Sequence, residues 1–512
     1  MAACQHRAVL YDLADVDPDA SGVDDGVRTR TRGELLDRAT RLGRSWLDRG
    51  LRPGDHAAAL WGNRVEAVEA VLAATLSGIW LTPVNRHLAV EEIAYIVEDS
   101  GAVIVLTDPE HEATARASVG GPQPILVAGD ELDGQISGAD ATRFALDGPV
   151  GGTMFYTSGT TGRPKGVRRR VASDLGAQLR ALAAAGRPLG LVGRGPHLVT
   201  GPLHHAAPLG FAFFDLHNGA PLILMANWDE RHCLDLIRRH QVVTTHLVPT
   251  MFVRLLRLDE ADRDGFDASS LQTVLHGAAP ISAVVKQRMI DWWGPTLVEY
   301  WGGSEGGYVT VATTEQWLTH PGTVGRAVST YEVFAGDDRG ARLPAGETGP
   351  LWCHNTVVDN VFAYHNAPEK TAAAFAGPGV YTLGDIGRVD EDGFVYLSDR
   401  ASDMIITGGM NVYPTEVAQV LAEHPAVADV AVFGIPDDEW GEQVKAAIEL
   451  LPGSEPSDAL ALELMAFARE HLAGYKTPRS VDFEAALPRF PTGKLHSRLL
   501  RDRYWPDGGR RI

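Results

Sequence analysis

The sequence predicts an α/β protein, built as a large multi-sheet N-terminal domain with a small mobile α+β C-terminal domain. Three observations lead there. The chain is 512 residues long, more than a single hydrophobic core organises. Short apolar runs alternate with amphipathic stretches along most of it, the pattern of helices laid on largely parallel sheets. After Asp399–Arg400 the alternation restarts in about a hundred residues, enough for a small separate domain. The expected boundaries are 1–399 for the large domain, 400–402 for a hinge and 403–512 for the small one.

In "TRGELLDRATRLGRSWLDRG", Thr31 and Glu34 stand at capping-box spacing, Leu35, Ala39, Leu42 and Trp46 share one helical face, and Gly50 ends the helix. "AVIVL" at 102–106 and "PLILM" at 221–225 are expected as strands buried on both faces. "DERHCLDLIRRHQVVTTHLVP" reads as a helix then a strand, and "LQTVLHGAAP" as a strand entering a glycine-bearing turn. "YTLGDIGRVDEDGFVYLSDR" (381–400) reads as two strands joined at Asp392–Gly393. The small domain should hold a helix around "PTEVAQVLAEHP", strands "VADVAVFGIP" and "QVKAAIEL", and the helix "ALALELMAFAREHL".

Bulk composition narrows the partners. Hydrophobic content of 45% and charged content of 22% are ordinary for a soluble globular protein. Acidic residues outnumber basic ones, 66 to 46, for a net charge of -20, which argues against nucleic acid and against an anionic membrane surface. Cys4, Cys233 and Cys353 lie far apart without metal-ligand spacing, so no disulfide framework is expected. No basic region leading into an apolar core opens the chain, and no apolar run reaches the roughly 18 residues of a membrane span. A cytoplasmic protein is expected, with a homodimer left open.

The strongest chemical signal is "YTSGTTGRPKGVRRR" (156–170), with three glycines, four aliphatic hydroxyls and five basic residues. Small residues let backbone N–H groups approach a ligand closely, and Lys165 and the hydroxyls add donors, the ingredients of a phosphate cradle. It is not a Walker A element, because Gly166 rather than Ser or Thr follows Lys165.

Together with "EYWGGSEGG", "YTLGDIGRVDEDGFVYLSDR" and "PRFPTGKL", in that order and spacing, this loop resembles the adenylate-forming enzymes: acyl-CoA synthetases, firefly luciferase and peptide-synthetase adenylation domains. "GIPDDEWGEQVKAAIEL" is most similar to the acyl- and aryl-CoA ligase branch. The resemblance implies an acyl-AMP made from a carboxylic acid and ATP, pyrophosphate release, and transfer to coenzyme A, with Mg²⁺ as cofactor. Two rivals are a luciferase-like oxygenase acting on its own adenylate, and an adenylation enzyme that loads a carrier protein or hands acyl-AMP to a partner.

The same resemblance assigns roles. Thr157, Ser158, Gly159, Thr160, Thr161, Gly162 and Lys165 would wrap the β- and γ-phosphates. Trp301, at the family's usual tyrosine, with Gly302 and Ser304, would belong to the ATP site, and Glu305 would ligate Mg²⁺ bridging the phosphates. Gly277, Ala278 and Ala279 would pack against adenine; Asp385 would accept from both ribose hydroxyls, and Arg400 would add a ribose or phosphate contact. Lys494 would reach from the small domain to bridge the carboxylate and the α-phosphate, a task suited to a compact mobile charge. His205 is expected at the acyl pocket and thioester step, with His204 beside it structural.

Substrate and second step are read from departures. Gly302, Gly303, Gly306 and Gly307, with Ala206, Ala207 and Gly210, are expected to leave volume for a bulky hydrophobic acid. Gly408 and Gly409 would let a pantetheine arm pass, and Trp440 would stack on the CoA end. His87 stands where many relatives carry an arginine near CoA phosphates, and Ser402 replaces the family's charged hinge residue. Adenylation is expected to be competent and CoA transfer slower.

Overall fold

The computed structural model describes residues 9–157, 164–400, 403–407, 410–437, 440–489 and 495–505, without the side chains of 399, 400 and 411. Three sheets lie among them, of seven, fourteen and five strands. The seven-stranded sheet forms around βαβ units. Its strand His56–Leu60 is buried throughout, and the crossover helix Val65–Ser77 is buried at every residue. Two carboxylates on that helix, Glu66 and Glu69, are 0% exposed and held by guanidinium groups, Arg28 and Arg64 on the first, Arg30 and Arg38 on the second. Buried charge of this kind persists only when so paired.

Helix Arg32–Asp48 packs on this layer, opening with the expected capping box: Glu34 N–H donates to Thr31 Oγ1 at 3.2 Å, and Thr31 N–H to the Glu34 carboxylate at 2.9 Å. Leu35, Ala39, Leu42 and Trp46 are fully buried. In the strand Ala102–Thr107 only Val103 is exposed, so burial on both faces holds for the rest of that run.

The fourteen-stranded sheet corrects the expectation of largely parallel pairing. Leu222–Leu224, His197–Val199, Thr244–Leu247, Thr273–His276 and Leu297–Gly303 run parallel in that order. From Gly307–Thr313 onward, through Gly325–Ala327, Phe394–Arg400, Val380–Val389, Thr348–Asn355 and Tyr331–Ala335, every step is antiparallel. Several strands here are joined by tight turns, such as 304–306 and Asp392–Gly393 (Gly393 φ 82°), too short for the crossover that parallel strands require.

The five-stranded sheet holds Ile405–Thr407, Met410–Val412, Val427–Asp437, Gly441–Leu450 and Ser480–Glu484, with helices Pro414–Ala422 and Asp458–His471. Polar contacts join this part of the chain to the large sheet's loops. Arg257 Nη1 lies 3.2 Å from Glu449 Oε1, and Arg489 Nη1 donates to Thr250 Oγ1 at 3.1 Å.

Candidate active site

Parallel strands deliver their following loops to one sheet edge, where α/β folds bind ligands. Here that edge gathers 200–205 after His197–Val199, 248–250 after Thr244–Leu247, 277–279 after Thr273–His276, and 304–306 after Leu297–Gly303.

Glu305 sits in the last of these turns. Its Oε1 accepts from Tyr364 Oη at 3.0 Å, and the Tyr364 ring lies 5.0 Å beneath Lys165 Nζ. Tyr364 thus links the hairpin Gly152–Thr157/Lys165–Arg169 to the acidic turn, and burial beside Glu305 drives its hydroxyl pKa up. Thr157 and Lys165 pair across the mouth of that hairpin. Ser158, Gly159, Thr160, Thr161 and Gly162 lie outside the described residues. Further bracing comes from Tyr331, which donates to the Gly306 carbonyl at 3.1 Å, and from Tyr381, which donates to the Tyr331 hydroxyl at 3.2 Å. Arg169 faces the same group, its pKa lowered by burial and held up by Tyr331, Tyr381 and Glu305.

These contacts overturn the reading of the neighbouring glycines as empty volume. A Cβ on Gly306 would stand 1.7 Å from Tyr381 Oη, one on Gly302 2.0 Å from the Gly307 carbonyl oxygen, and one on Gly303 2.9 Å from Leu383. Gly307 takes φ 76°, with Arg169 Nη1 2.8 Å from its Cβ position. Missing side chains here make room for the protein's own atoms.

Trp301 and Asp385 are brought together although 84 residues apart: the indole N–H donates to Asp385 Oδ2 at 2.8 Å. Asp385 pairs in register with Arg400 on the adjacent strand. At 277–279 the strain lies one residue later than the glycine suggests. Gly277 is required by closeness, its Cβ position being 2.6 Å from the Tyr300 carbonyl oxygen, while Ala278 carries φ 65° and Ala279 is half-buried. Behind this turn Lys286 Nζ and Glu299 Oε2 form a buried pair at 2.5 Å.

His205 stands at the N-cap position of helix Ala206–His217. Burial pulls its pKa to about 4, so the ring is neutral near pH 7. His204 packs against it at 4.3 Å between ring centroids, and its pKa is driven well below the usual histidine value by burial and then by His205. Nε2 of each lacks a partner among the described residues. Helix Ala206–His217 continues into an aromatic wall: Phe211 lies 4.8 Å from Tyr300 and 6.4 Å from Tyr308, and Phe214 6.4 Å from Tyr308. At Gly210 a Cβ would meet only Phe214, at 3.9 Å. This is where a missing side chain does leave space.

The remaining positions scatter. His87 is exposed beside Arg86, whose Nη2 donates to Asn227 Oδ1 at 2.6 Å. Trp440 N–H donates to Asp437 Oδ1 at 2.8 Å, and the Arg479 guanidinium covers its ring at 4.7 Å. Ser402, Gly408, Gly409, Lys494 and the Arg400 side chain lie outside the described residues. Arg489 and Leu495, which flank the Lys494 segment, pair with each other, and Arg489 holds Thr250 at the site edge. Tyr364, Tyr331, Tyr381 and Thr250 were missed by motif reading, since their partners are distant in sequence.

The AMP-binding enzyme family model matches residues 10–361, and that of the AMP-binding enzyme C-terminal domain matches residues 416–494. The chain belongs to the AMP-binding enzyme family. A feruloyl-CoA synthase of Amycolatopsis sp is 33% identical over 505 residues, covering 96% of this chain and 97% of that protein. The fatty acid–[acyl-carrier-protein] ligase ScoC of Streptomyces coeruleorubidus is 32% identical over 508 residues, covering 95% and 93%. Among solved structures, o-succinylbenzoate CoA synthetase (MenE) from Bacillus subtilis, in complex with its acyl-adenylate intermediate OSB-AMP, matches with a TM-score of 0.80 at 28% identity over 98% of each chain.

Proposed function

We propose that this chain is an AMP-forming acid–thiol ligase that converts a bulky hydrophobic carboxylic acid to its acyl-adenylate and passes the acyl group to coenzyme A. One observation carries the reading: Lys165, Tyr364 and Glu305 form a continuous run at the edge that also holds Trp301 and Asp385. Whole-length similarity to a CoA synthase and to an acyl-adenylate complex supports it.

In the first step a carboxylate oxygen bonds to the α-phosphorus as the bond to the β-phosphate oxygen breaks, and pyrophosphate leaves. Two anions must meet, so the protein's work is charge compensation and positioning. Thr157 to Gly162 and Lys165 hold the β- and γ-phosphates, Asp385 and Arg400 the ribose, and Gly277 to Ala279 with Trp301, Gly302 and Ser304 frame the adenosine side. Lys494 bridges the carboxylate and the α-phosphate. Glu305 fits Mg²⁺ as one protein carboxylate completed by substrate oxygens, and the described residues contain no cluster of three or more such ligands. That ion would supply neutralising charge at the phosphates.

In the second step the thiol sulfur bonds to the acyl carbon, the carbon–oxygen bond to AMP breaks, and the thiol proton is lost. His205, neutral at pH 7, lines the acyl side. Gly408, Gly409, Trp440 and His87 serve the CoA path, and rotation about Ser402 in the 400–402 hinge would exchange the two steps. A carrier-protein thiol is the second reading, favoured by the similarity to ScoC. The wall of Phe211, Phe214, Tyr300 and Tyr308, open at Gly210, favours hydrophobic acids.

The test is pyrophosphate release across aromatic, aliphatic, steroidal and terpenoid acids, followed by mass detection of the thioester with CoA or with a phosphopantetheinylated carrier. A bulky acid should exceed acetate, with CoA as acceptor. Acetate exceeding every bulky acid would reject the substrate class, and thioester on the carrier alone would favour the second reading.

A further inference from the structure

We propose that Trp301 is a positioning residue for nucleotide selection: through its indole N–H it sets the orientation in which Asp385 meets the ribose hydroxyls. The inference rests on the ATP-dependent reading above.

The indole N–H donates to Asp385 Oδ2 at 2.8 Å, with Trp301 5% and Asp385 9% exposed. An indole offers one donor and no acceptor, so this contact fixes a direction as well as adding a bond. Its own direction is fixed in turn. Trp301 belongs to a buried hydrophobic cluster that also includes Val167, Val309 and Tyr381. The strand carries a register shift between Trp301 and Gly302, and Gly302 lies too close to Gly307 and Tyr308 for any side chain. The backbone that carries the indole is thus held closely against the facing strand just before the Glu305 turn.

Asp385 is placed with equal care. It follows Gly384, at φ 81°, whose N–H donates to Thr382 Oγ1 at 3.0 Å, and it stands opposite Arg400. A carboxylate has about four lone-pair directions, and the indole bond takes one of them and biases how the rest are aimed. With 5% of its surface open, Trp301 acts on nucleotide through this bond more than through ring contact. A tyrosine would place its hydroxyl beyond the ring end and present no N–H at this point.

The experiment compares kcat/KM for ATP and 2′-deoxy-ATP, with saturating acid, in wild type, Trp301→Phe, Asp385→Asn and the double variant. Trp301→Phe should raise KM for ATP about tenfold, narrow the ATP preference over 2′-deoxy-ATP by a similar factor, and leave KM for the acid within about twofold. In the Asp385→Asn background it should change the preference no further, because the two act as a unit. Trp301→Leu, which also lacks a donor, provides the same test should the phenylalanine variant fail to fold. If both Trp301 variants keep the wild-type preference while Asp385→Asn loses it, the positioning role is overturned and the ribose role of Asp385 stands. Should Asp385→Asn also keep the preference, the ribose reading falls and this inference with it.

Discussion

The proposed nucleotide side and the proposed acyl side of the site are built on opposite plans. On the nucleotide side the two carboxylates are braced: Glu305 by Tyr364, its turn by Tyr331 and Tyr381, Asp385 by Trp301. On the proposed acyl side His204 and His205 are half-buried, their pKa values lowered by burial, and Nε2 of each has no partner among the described residues; the helix that His205 caps carries Phe211, one ring of an aromatic wall. Phosphate chemistry demands fixed charge, whereas a hydrophobic acid is recognised by shape. Catalysis and specificity should therefore respond to different substitutions.

The largest effect is expected at Lys494. Lys494→Ala should lower adenylation by about a thousandfold while sparing thioester formation from pre-made acyl-AMP. Near-normal ATP-dependent pyrophosphate release would remove Lys494 from the first step. Next comes Tyr364→Phe, which deletes the bond to Glu305 but keeps the ring under Lys165. About a tenfold loss in kcat is expected, with a raised Mg²⁺ requirement and an unchanged KM for the acid. An unchanged Mg²⁺ titration would mean the tyrosine bond does not serve the acidic turn.

On the other side, Gly210→Val should raise KM for the best bulky acid severalfold and leave KM for ATP alone, since its side chain enters the space before Phe214. A change in ATP binding instead would erase the contrast between the two sides.

The smallest functional effect concerns acid stability. His217 is fully buried, its ring nitrogens lack partners among the described residues, and burial lowers its pKa from 6.5 to about 4. Between those values the unfolded chain binds a proton that the fold excludes, so stability falls as pH drops from about 6.5 towards 4. His217→Leu should flatten that slope by one proton, relieving about 3 kcal/mol at the acid end, and leave pH 7 activity unchanged. Urea midpoints at several pH values read this directly; an unaltered slope would place the titration elsewhere.

Legibility followed sequence distance. Thr31 and Glu34 are three residues apart, and Asp392–Gly393 are adjacent, so capping and turn chemistry could be read directly. Glu305 and Asp385 were recognisable from their motifs, but the groups that hold them were not. Tyr364 meets Glu305 across 59 residues and Trp301 meets Asp385 across 84. No local pattern encodes such pairings. The glycines beside Glu305 illustrate the opposite error: a missing side chain was legible, yet what filled the gap was set by Tyr381 and the facing backbone. The antiparallel half of the large sheet was hidden because apolar periodicity reports burial, not strand direction.

The most direct test of the central claim follows one oxygen atom. The best acid, prepared with ¹⁸O in its carboxyl group, is turned over with ATP and CoA, and the released AMP, pyrophosphate and phosphate are weighed by mass spectrometry. Attack of the carboxylate on the α-phosphorus, followed by cleavage of the acyl carbon–oxygen bond, predicts one ¹⁸O in AMP and none in pyrophosphate. Label in orthophosphate, with ADP formed in place of AMP, would mean an acyl-phosphate route and would contradict the account.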